Sequence, residues 1–498
     1  MPIAPAIPVP LPAPYGGINT RDGVAALEPF EARDLVNWEP AGSAVKPRPG
    51  NADYSTGGPA AAVKTLAAYH GLTASALIGV CNGSIYDFSS AVPSLLSAAG
   101  YTQSRFQTEC YNNRLIGVNG VDTPWTYNGS AIVATGFTGP TLTSLVNIKK
   151  VRNRLWFCLI NSADAYYGGL GSITGALTLF SLSQVVGGGT LMAIGAHSQD
   201  SGDGPDDLTV FVMNTGEFVV YSGDPSTTFS EVGNFLLPAR PIGRDCVWNL
   251  GGALHVITTM GVVPISVAMT TSNLDFVALG NFGKIGPTLK RYADLYSANL
   301  GWFMRTWGGR LIVNVPVLDA ADSIQEVMNT LVQGGAWTRW EGFNAASMCE
   351  WDGGLYFGMW TEGTVRKVTG YTDDGGSIAL SVRQAFSSLA SGMQTRVTAI
   401  RFDIQVDGAF SGAFGIDSDY ISAAITTPSV TIVSSTSTTP WGSAWGSAWS
   451  TSTQVKGQWF STYGEGRALA LAMSATTTAP GLEWAGYQAL IQQTGPGV

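Results

Sequence analysis

An apolar β-strand that opens on leucine recurs seven times along the chain, usually behind Asn-Arg or Gly-Gly, directly or with one residue between. In several copies a glycine turn follows, and then a second strand that carries an aromatic residue. Successive openings lie 38 to 57 residues apart, the length of one four-stranded propeller blade with variable loops. The repeat therefore predicts an all-β chain closed radially into a β-propeller. The opening residues are Leu77, Leu115, Leu155, Leu208, Leu254, Leu311 and Leu355.

The number of blades is left open by the spacing. Each leucine strand is preceded by another β-like run, so each unit supplies three strands, and a fourth is expected in the linking segment. The copy at Leu311 has a long hairpin loop through Asp319 to Val327, and the copy at Leu155 carries an insertion from Asn161 to Ala176. A six-bladed and a seven-bladed propeller are therefore both compatible with the sequence.

The pattern changes on both sides of the repeats. Residues 1–50 have loop and turn chemistry with one short helical candidate, Glu28 to Val36. After residue 385 come an alternating strand, Val397 to Val406, and Ser/Thr-rich strands. We therefore predict an extended Pro-rich arm and docking segment at 1–50, a β-propeller at 51–385 and a smaller C-terminal β-rich domain at 386–498.

Composition limits the class of function. Charged residues make up only 12% of the 498 residues, about half of the usual fraction, which favours a surface covered by other subunits. The net charge of −9 gives no basic field to hold nucleic acid, although DNA sliding past without sticking is compatible with it. Five widely spaced cysteines form no CxxC pair and signal neither a disulfide framework nor a zinc site. A reducing cytoplasm is the simplest site of synthesis, and no cofactor is indicated.

The N-terminal stretch 1–14 alternates proline with apolar residues. It has no basic start, and its prolines would break a signal helix, so it is not typical of a secretory signal. No apolar run reaches the length that spans a membrane. The composition favours either an extended arm that docks on a neighbouring subunit or a disordered tail.

Two acidic patterns are candidates for chemistry. Asp200, Asp203 and Asp206 lie in a loop that offers oxygen ligands for calcium, but the spacing is not that of an EF-hand, and a solvated turn is favoured. Glu350 and Asp352 flank Trp351 and are the candidate acid pair of a sugar site, although they precede Gly353-Gly354, an ordinary turn. Asp417-Ser-Asp419 is a weak metal signal, and His255, inside an apolar strand, is interpreted as a core or pore-side residue rather than a catalytic base.

No catalytic function is predicted. The motifs GxSxG and HExxH and the P-loop are all absent from the sequence. Trp441, Trp445 and Trp449 have helical spacing, but the intervening Gly and Ser argue against a helix. We expect these tryptophans to pack beneath the C-terminal domain or into a subunit interface.

Several short motifs, taken together, resemble the tail nozzle proteins of short-tailed bacteriophages (podoviruses). The N-terminal part carries the clearest similarity, with Asn37-Trp38-Glu-Pro40 and the run ending in Arg48-Pro-Gly50, and the tandem Trp motif is also similar. These motifs make Asn37, Trp38, Arg48 and the three tandem tryptophans the assembly and docking candidates. Further similar motifs begin at Gly16, Gly83, Asn113, Trp125 and Phe218.

The resemblance implies a structural protein of the virion. Such a nozzle is a homohexamer that attaches to the adaptor ring and to tail fibre or spike proteins, and it is assembled in the bacterial cytoplasm. It forms the distal channel through which double-stranded viral DNA is ejected without sequence recognition. The alternative from the residues themselves is a carbohydrate-binding or glycoside-cleaving propeller that recognises the host surface.

Overall fold

The computed structural model describes residues 5–98, 100–200, 205–271, 274–318, 321–332, 334–389, 393–407, 409–425, 429–433, 453–454 and 458–496. The chain forms two compact units. We call Asp53–Gln325 with Phe343–Val368 the propeller unit. We call Met1–Ala52, Glu326–Gly342 and Thr369–Val498 the sandwich unit.

Strands dominate the described residues, and helices are few. The first strands are β1 (Ile7–Pro12), β2 (Ala32–Val36), β3 (Trp38–Ala41), β4 (Ala44–Pro47), β5 (Asn51–Ser55), β6 (Val63–His70), β7 (Ser75–Cys81), β8 (Ser84–Asp87), β9 (Ser94–Ser97), β10 (Gln107–Tyr111), β11 (Arg114–Val118), β12 (Trp125–Tyr127), β13 (Ile132–Ala134), β14 (Gly136–Thr138), β15 (Leu145–Val151), β16 (Arg154–Leu159), β17 (Asp164–Tyr167), β18 (Thr174–Ala176), β19 (Thr178–Ser181), β20 (Leu191–Asp200) and β21 (Pro205–Met213).

The remaining strands are β22 (Glu217–Asp224), β23 (Thr228–Leu236), β24 (Val247–Leu250), β25 (Ala253–Thr258), β26 (Gly261–Pro264), β27 (Phe303–Trp307), β28 (Arg310–Leu318), β29 (Asp322–Asn329), β30 (Ala336–Trp340), β31 (Ala345–Trp351), β32 (Gly354–Met359), β33 (Val365–Val368), β34 (Ile378–Gln384), β35 (Met393–Val406), β36 (Ala409–Ser418), β37 (Ser429–Val433), β38 (Thr453–Gln454), β39 (Phe460–Gly466), β40 (Leu469–Thr477) and β41 (Glu483–Pro496). The α-helices are α1 (Ile265–Thr270) and α2 (Gly286–Tyr296), and short 3₁₀ turns span Leu142–Ser144 and Phe282–Ile285.

Every leucine that opens a predicted repeat lies in the second strand of an antiparallel group of strands in the propeller unit, and the group of Leu311 belongs to a nine-stranded sheet. All seven leucines are at most 5% exposed, so the repeat marks a largely buried strand in each group. In order, the sheets within the unit are β6–β9; β10–β13; β15, β16, β17 and β19; β20–β23; β24–β26; β27–β29; and β31–β33 with β5. The all-β propeller prediction is therefore confirmed.

The residues before five of these leucines form tight two-residue hairpin turns. In five of the seven sheets the two central residues both have positive φ, as in Asn112-Asn113 (46° and 57°) and Asp352-Gly353 (48° and 70°). This is the backbone of a type I′ turn, which favours Asn, Asp and Gly and matches the twist of the flanking strands. The Asn-Arg and Gly-Gly signature of the repeat is thus explained by turn geometry.

The first strands of the seven sheets contact one another in a closed circle, from β6 through β10, β15, β20, β24, β27 and β31 back to β6. Apolar clusters fill the seams between neighbouring sheets. One cluster joins the first and seventh sheets through Leu66, Leu77, Trp351 and Tyr356. The seventh sheet is completed by β5 from the N-terminal side, where Asp53 and Arg366 form an ion pair of 2.8 Å.

The sandwich unit is assembled from three separated stretches of the chain. One of its sheets has the order β3-β4-β41-β35-β38, with β1 also paired to β41 and β39 to β35. The other contains β30-β2-β34-β40-β36-β37. Aromatic rings from the two sheets meet in the core, where Phe402 of β35 and Phe414 of β36 lie 5.2 Å apart between centroids.

The boundaries differ from those predicted. Residues 1–50 do not form a separate arm, because β1 and β4 pair with β41, β2 pairs with β34 and β3 pairs with β4, all within one unit. Residues 326–342 and 369–385 also belong to the sandwich unit rather than to the propeller. The predicted helix at Glu28 to Val36 is wrong, since Ala32–Val36 is strand β2 and pairs with β34. The predicted loop through Asp319 to Val327 contains most of β29, and the predicted insertion at Asn161 to Ala176 contains β17 and β18.

Strand β1 is an edge strand of unusual composition. It pairs antiparallel with β41 from Ile7 opposite Ile491 to Pro12 opposite Gly486. The N–H of Ala13 donates to the carbonyl of Ala485 at 3.1 Å. The backbone N–H groups of the odd-numbered residues therefore face β41, and the backbone positions of the even-numbered residues face away from it. Prolines occupy the even positions 8, 10 and 12, where no N–H is available to a further strand. The proline alternation therefore blocks the open edge of the sheet.

Replacing Pro10 by threonine is expected to promote association between chains along this edge strand. The variant regains an N–H on the outward side of β1, so another chain can add a strand there. We expect larger, concentration-dependent assemblies than those of the unmodified protein, measured by sedimentation velocity. Pro5→Thr, at an exposed position before the strand, is the matched control. Equal behaviour of the two variants would contradict the assignment of β1 as a blocked edge.

Candidate functional site

Arg48 is the centre of a buried junction in the sandwich unit. Its side chain is completely buried, and its Nη1 and Nη2 donate to the two carboxylate oxygens of Asp373 at 2.9 and 2.7 Å. Nε donates to the side-chain oxygen of Asn37 at 2.8 Å, and Nη2 also donates to the carbonyl of Glu341 at 2.6 Å. One guanidinium thus joins three separated stretches of chain with bidentate geometry.

Asn37 and Trp38 complete this junction. Asn37 has a φ of 59°, a conformation that asparagine tolerates better than most residues, and its Nδ2 donates to the carbonyl of Ala379 at 2.8 Å. The indole of Trp38 is fully buried, 5.7 Å from the ring of Trp484. The three predicted docking residues therefore contact their own unit, and their side chains present no surface to a partner.

The residues of the candidate sugar site do not form one. Trp351 is only 9% exposed, its ring packs edge-on against Tyr54 and Tyr356, and its Nε1 donates to the hydroxyl of Ser75 at 2.6 Å. The indole is therefore a seam residue of the propeller rather than a platform for a sugar ring. Glu350 is exposed at the end of β31, and Asp352 is the first residue of a type I′ turn with a φ of 48°. Their positions are explained by the hairpin.

The predicted acidic metal loop and the tandem tryptophans are largely outside the described residues. The backbones of Asp200 and Asp206 belong to the paired strands β20 and β21, while Asp203, Trp441, Trp445 and Trp449 lie outside the described ranges. Among the residues that the structure does describe, no three His, Cys, Asp or Glu side chains come together as a metal site.

Asp417, the weak metal candidate, is an ion-pair residue instead. Its carboxylate is fully buried and accepts hydrogen bonds from Arg33 Nη2 at 2.5 Å and from Arg383 Nη1 at 2.8 Å. Asp419 accepts the backbone N–H of Arg467 at 2.7 Å. Both carboxylates have structural partners that account for them, because a buried charge is tolerated when it is paired and hydrogen-bonded.

A cavity of about 270 Å³ lies along the inner strands of the propeller unit. Strands β6, β10, β15, β24, β27 and β31 all contribute to its wall, so it occupies the centre of the circle of sheets. The wall carries five cationic side chains and two carboxylates, an excess of three positive charges in a chain of net charge −9. The charged residues are Lys64, Arg105, Glu109, Lys149, Arg244, Asp245 and Arg305.

Two of these cations are neutralised within the wall. Arg305 Nη2 and Asp245 Oδ2 are 2.7 Å apart, and Lys149 Nζ lies 3.7 Å from Glu109 Oε2. Burial raises the pKa of the Glu109 carboxyl, and Lys149 works in the opposite direction. The ring of Trp248 is covered by the same two cations, at 4.8 Å from the Arg305 guanidinium and 5.6 Å from Lys149 Nζ.

Arg105 has the fewest hydrogen-bond acceptors for its guanidinium N–H groups among the arginines of the cavity wall. Its Nη1 donates to the carbonyl of Ala346 at 3.2 Å, and its guanidinium lies 5.5 Å from the ring of Trp360. Its Nε and Nη2 are buried and have no hydrogen-bond partner in the described part of the chain. Burial lowers the pKa of Arg105 to about 10, with Asp245 raising it and Arg305 lowering it further. An orphaned buried donor of this kind costs free energy until something accepts its hydrogen bonds.

Sequence reasoning missed these cavity residues, although a signal was present. Lys64, Arg105, Lys149, Arg244 and Arg305 each lie in the strand that precedes a leucine strand or just before that strand. First strands line the centre of a propeller, so a basic residue recurring there predicts a positive cavity.

His255 and His197 are buried core residues on neighbouring sheets. The ring of His255 packs 4.8 Å from the ring of Phe282, and its Nδ1 donates to the carbonyl of Ala253 at 3.0 Å. His197 Nδ1 accepts the backbone N–H of Leu254 at 3.2 Å, which requires an unprotonated Nδ1. Burial lowers the pKa of both groups, for His255 from 6.5 to about 4.

Acidification is therefore expected to destabilise the propeller unit. The folded protein binds a proton at His255 less tightly than the unfolded chain does, so stability is fully present above pH 6.5 and is lost as the pH falls towards 4. The loss attributable to this one histidine is roughly 3 kcal/mol. His255→Gln should flatten the pH dependence of urea unfolding, whereas His70→Gln, at an exposed position, should leave it unchanged. Parallel pH profiles for His255→Gln and the unmodified protein would refute the assignment.

The solved structures described next are distantly similar to this chain. No protein-family model and no curated protein sequence matches the chain. BamB from Moraxella catarrhalis is 12% identical, with 62% of this chain and 83% of that chain covered and a TM-score of 0.37. BBS1N, solved in complex with ARL6DN, is 12% identical, with 66% and 99% covered and a TM-score of 0.41. The extracellular domain of BT4673 from B. thetaiotaomicron is 11% identical, with 77% and 48% covered and a TM-score of 0.41.

Similarities at this level carry no argument about function, and the fold assignment rests on the sheets themselves. None of the helices in the described ranges is both long and apolar enough to cross a membrane.

Proposed function

We propose that this chain is a structural subunit of a short bacteriophage tail, a nozzle protein that assembles as a homohexamer around a channel for DNA ejection. In this proposal the propeller has seven blades and acts as a rigid frame, and the chain has no catalytic role. Its partners are the tail adaptor ring and the tail fibres or spikes, and its location is the virion.

The observation that carries the proposal is the position of the motif residues. The resemblance to tail nozzles rests on short motifs around Gly17, Asn37, Trp38, Arg48 and Gly50. A Cβ on Gly17, which has a φ of 76°, would lie 2.5 Å from the carbonyl oxygen of Trp337, and a Cβ on Gly50 would collide with Thr372. Asn37 and Arg48 hold the buried junction described above. Four of the motif residues, Gly17, Asn37, Arg48 and Gly50, thus have a conformation or a buried contact that few other residue types would satisfy, so these positions contribute to the architecture of the sandwich unit.

The alternative of a sugar-binding or sugar-cleaving propeller has less support. Its aromatic candidate, Trp351, is buried in a seam, and its candidate acids occupy a hairpin end and a turn. Low charge over the whole chain also favours a surface that is covered in an assembly.

The test is the oligomeric state of the purified full chain. We expect mass photometry to give six copies, and electron microscopy to show a ring with a central opening. Immunogold labelling of intact virions with an antibody to the chain should mark the distal tip of the tail. A monodisperse monomer that binds or cleaves a host polysaccharide would overturn the proposal and establish the alternative.

A further inference from the structure

We propose that the central cavity of the propeller unit binds a small multiply charged oxyanion of the phosphate class. This inference concerns the propeller unit alone and does not depend on the tail assignment. It rests on the charge of the cavity wall, on the unsatisfied donors of Arg105 and on the volume of the cavity.

The charge of the wall selects for an anion. Arg305 and Lys149 are matched by Asp245 and Glu109, which leaves Lys64, Arg105 and Arg244 without a carboxylate at ion-pair distance in the described part of the chain. Three uncompensated cations converging on one cavity from different sheets repel one another unless a counter-charge lies between them. The chain as a whole is acidic, so this local excess is not a consequence of composition.

The hydrogen-bonding groups point to an oxyanion rather than to a halide. Arg105 has two nitrogens, Nε and Nη2, that are buried and without an acceptor in the described residues. The guanidinium presents these donors in a fixed plane that matches two oxygens of a phosphate or sulfate. Arg105 also lines a second cavity of about 660 Å³, together with Lys64, so it stands between the central cavity and this neighbouring space.

The volume and the lining indicate the kind of ligand. A cavity of about 270 Å³ is large enough for a free oxyanion or a compact phosphate ester. The Trp248 ring is already covered by Arg305 and Lys149, so no free aromatic face is offered there for stacking a sugar. The recognised group is thus the oxyanion itself.

The test uses the full chain, freed of phosphate, in chloride buffer of constant ionic strength. Isothermal titration calorimetry with inorganic phosphate should show saturable binding, and phosphate should raise the melting temperature where the same ionic strength of chloride does not. Hydrogen exchange should slow in peptides that cover β6 and β10. Titration with glucose 6-phosphate then distinguishes the source of the group: binding supports a site for phosphate esters, and binding of inorganic phosphate alone supports a site for the free ion.

Three variants make the result specific. Lys64 is only half-buried, so Lys64→Gln should fold and should weaken phosphate binding about tenfold or more, as loss of a charged hydrogen bond does. Arg105→Gln should abolish binding. Lys290→Gln, an exposed position on α2, should bind phosphate as the unmodified protein does. Absence of saturable binding to the unmodified protein, or equal affinity in Lys64→Gln and Lys290→Gln, would overturn the proposal.

Discussion

Replacing Arg48 by methionine is expected to lower the free energy of unfolding of the sandwich unit by about 3–5 kcal/mol. The side chain is fully buried, and the substitution leaves the Asp373 carboxylate, the Asn37 amide and the Glu341 carbonyl without their common donor. Methionine fills part of the volume but satisfies none of these acceptors. The loss therefore reflects unpaired polar groups rather than an empty space.

The matched control is Lys46→Met, two residues earlier on β4. Lys46 also forms an ion pair, with Glu483 at 3.2 Å, but both side chains are about half exposed. Because exposed pairs contribute little, we expect a loss of less than about 1 kcal/mol. Urea unfolding gives the overall stability, and hydrogen exchange in peptides covering β1 and β41 localises the loss to the sandwich unit. Equal losses in the two variants would show that the Arg48 junction is not a stabilising centre.

The propeller could be predicted from the sequence because its repeat is encoded locally. A buried leucine strand and the two-residue turn before it lie within a few residues of each other, and the turn demands particular residue types, as in Asn112-Asn113 and Asp352-Gly353. Most copies therefore repeat a recognisable signal. The seventh sheet shows the limit of this reasoning, since β5, which completes it, precedes the other strands of the sheet by about three hundred residues.

The sandwich unit could not be predicted because long-range pairing defines it. Strand β2 pairs with β34, and β1 pairs with β41, across most of the length of the chain. Alternation of apolar residues identifies a strand such as β35 but does not predict which strand it pairs with. The same limit applies to the candidate residues. The motif at Arg48 is visible in the sequence, but its ion-pair partner Asp373 lies in an ordinary Asp-Asp-Gly-Gly turn, and no sequence pattern connects the two residues.

The cavity residues lie between these two extremes. Their recurrence in or before first strands is visible in the sequence, whereas the pairing of Arg305 with Asp245 and the isolation of Arg105 depend on how six sheets meet. Sequence can therefore place positive charge at the centre of the propeller. Only the packing shows which of those charges remain uncompensated.

Replacing Trp156 by alanine is expected to destabilise the propeller unit by about 3–5 kcal/mol. The indole of this β16 residue is 1% exposed. Its ring packs against the rings of Tyr167 and Phe180 of its own sheet, with centroids 5.0 and 5.9 Å apart. It also packs against the rings of Phe211 and Phe229 of the next sheet, with centroids 5.3 and 5.7 Å apart. One side chain thus fills the seam between two neighbouring sheets, and its removal leaves a cavity that a closed circle of sheets cannot readily collapse.

Leu236→Ala is the control, because this leucine lies in β23 of the same pair of sheets and is 69% exposed. We expect a change of less than about 0.5 kcal/mol for this exposed position. Trp156→Phe should fall between the two, since a smaller ring retains part of the aromatic contact. Urea unfolding ranks the three variants, and hydrogen exchange should be fastest in peptides from β16 to β23 while those from the sandwich unit are unaffected. A Trp156→Ala protein no less stable than Leu236→Ala would mean that this aromatic seam does not hold the two neighbouring sheets together.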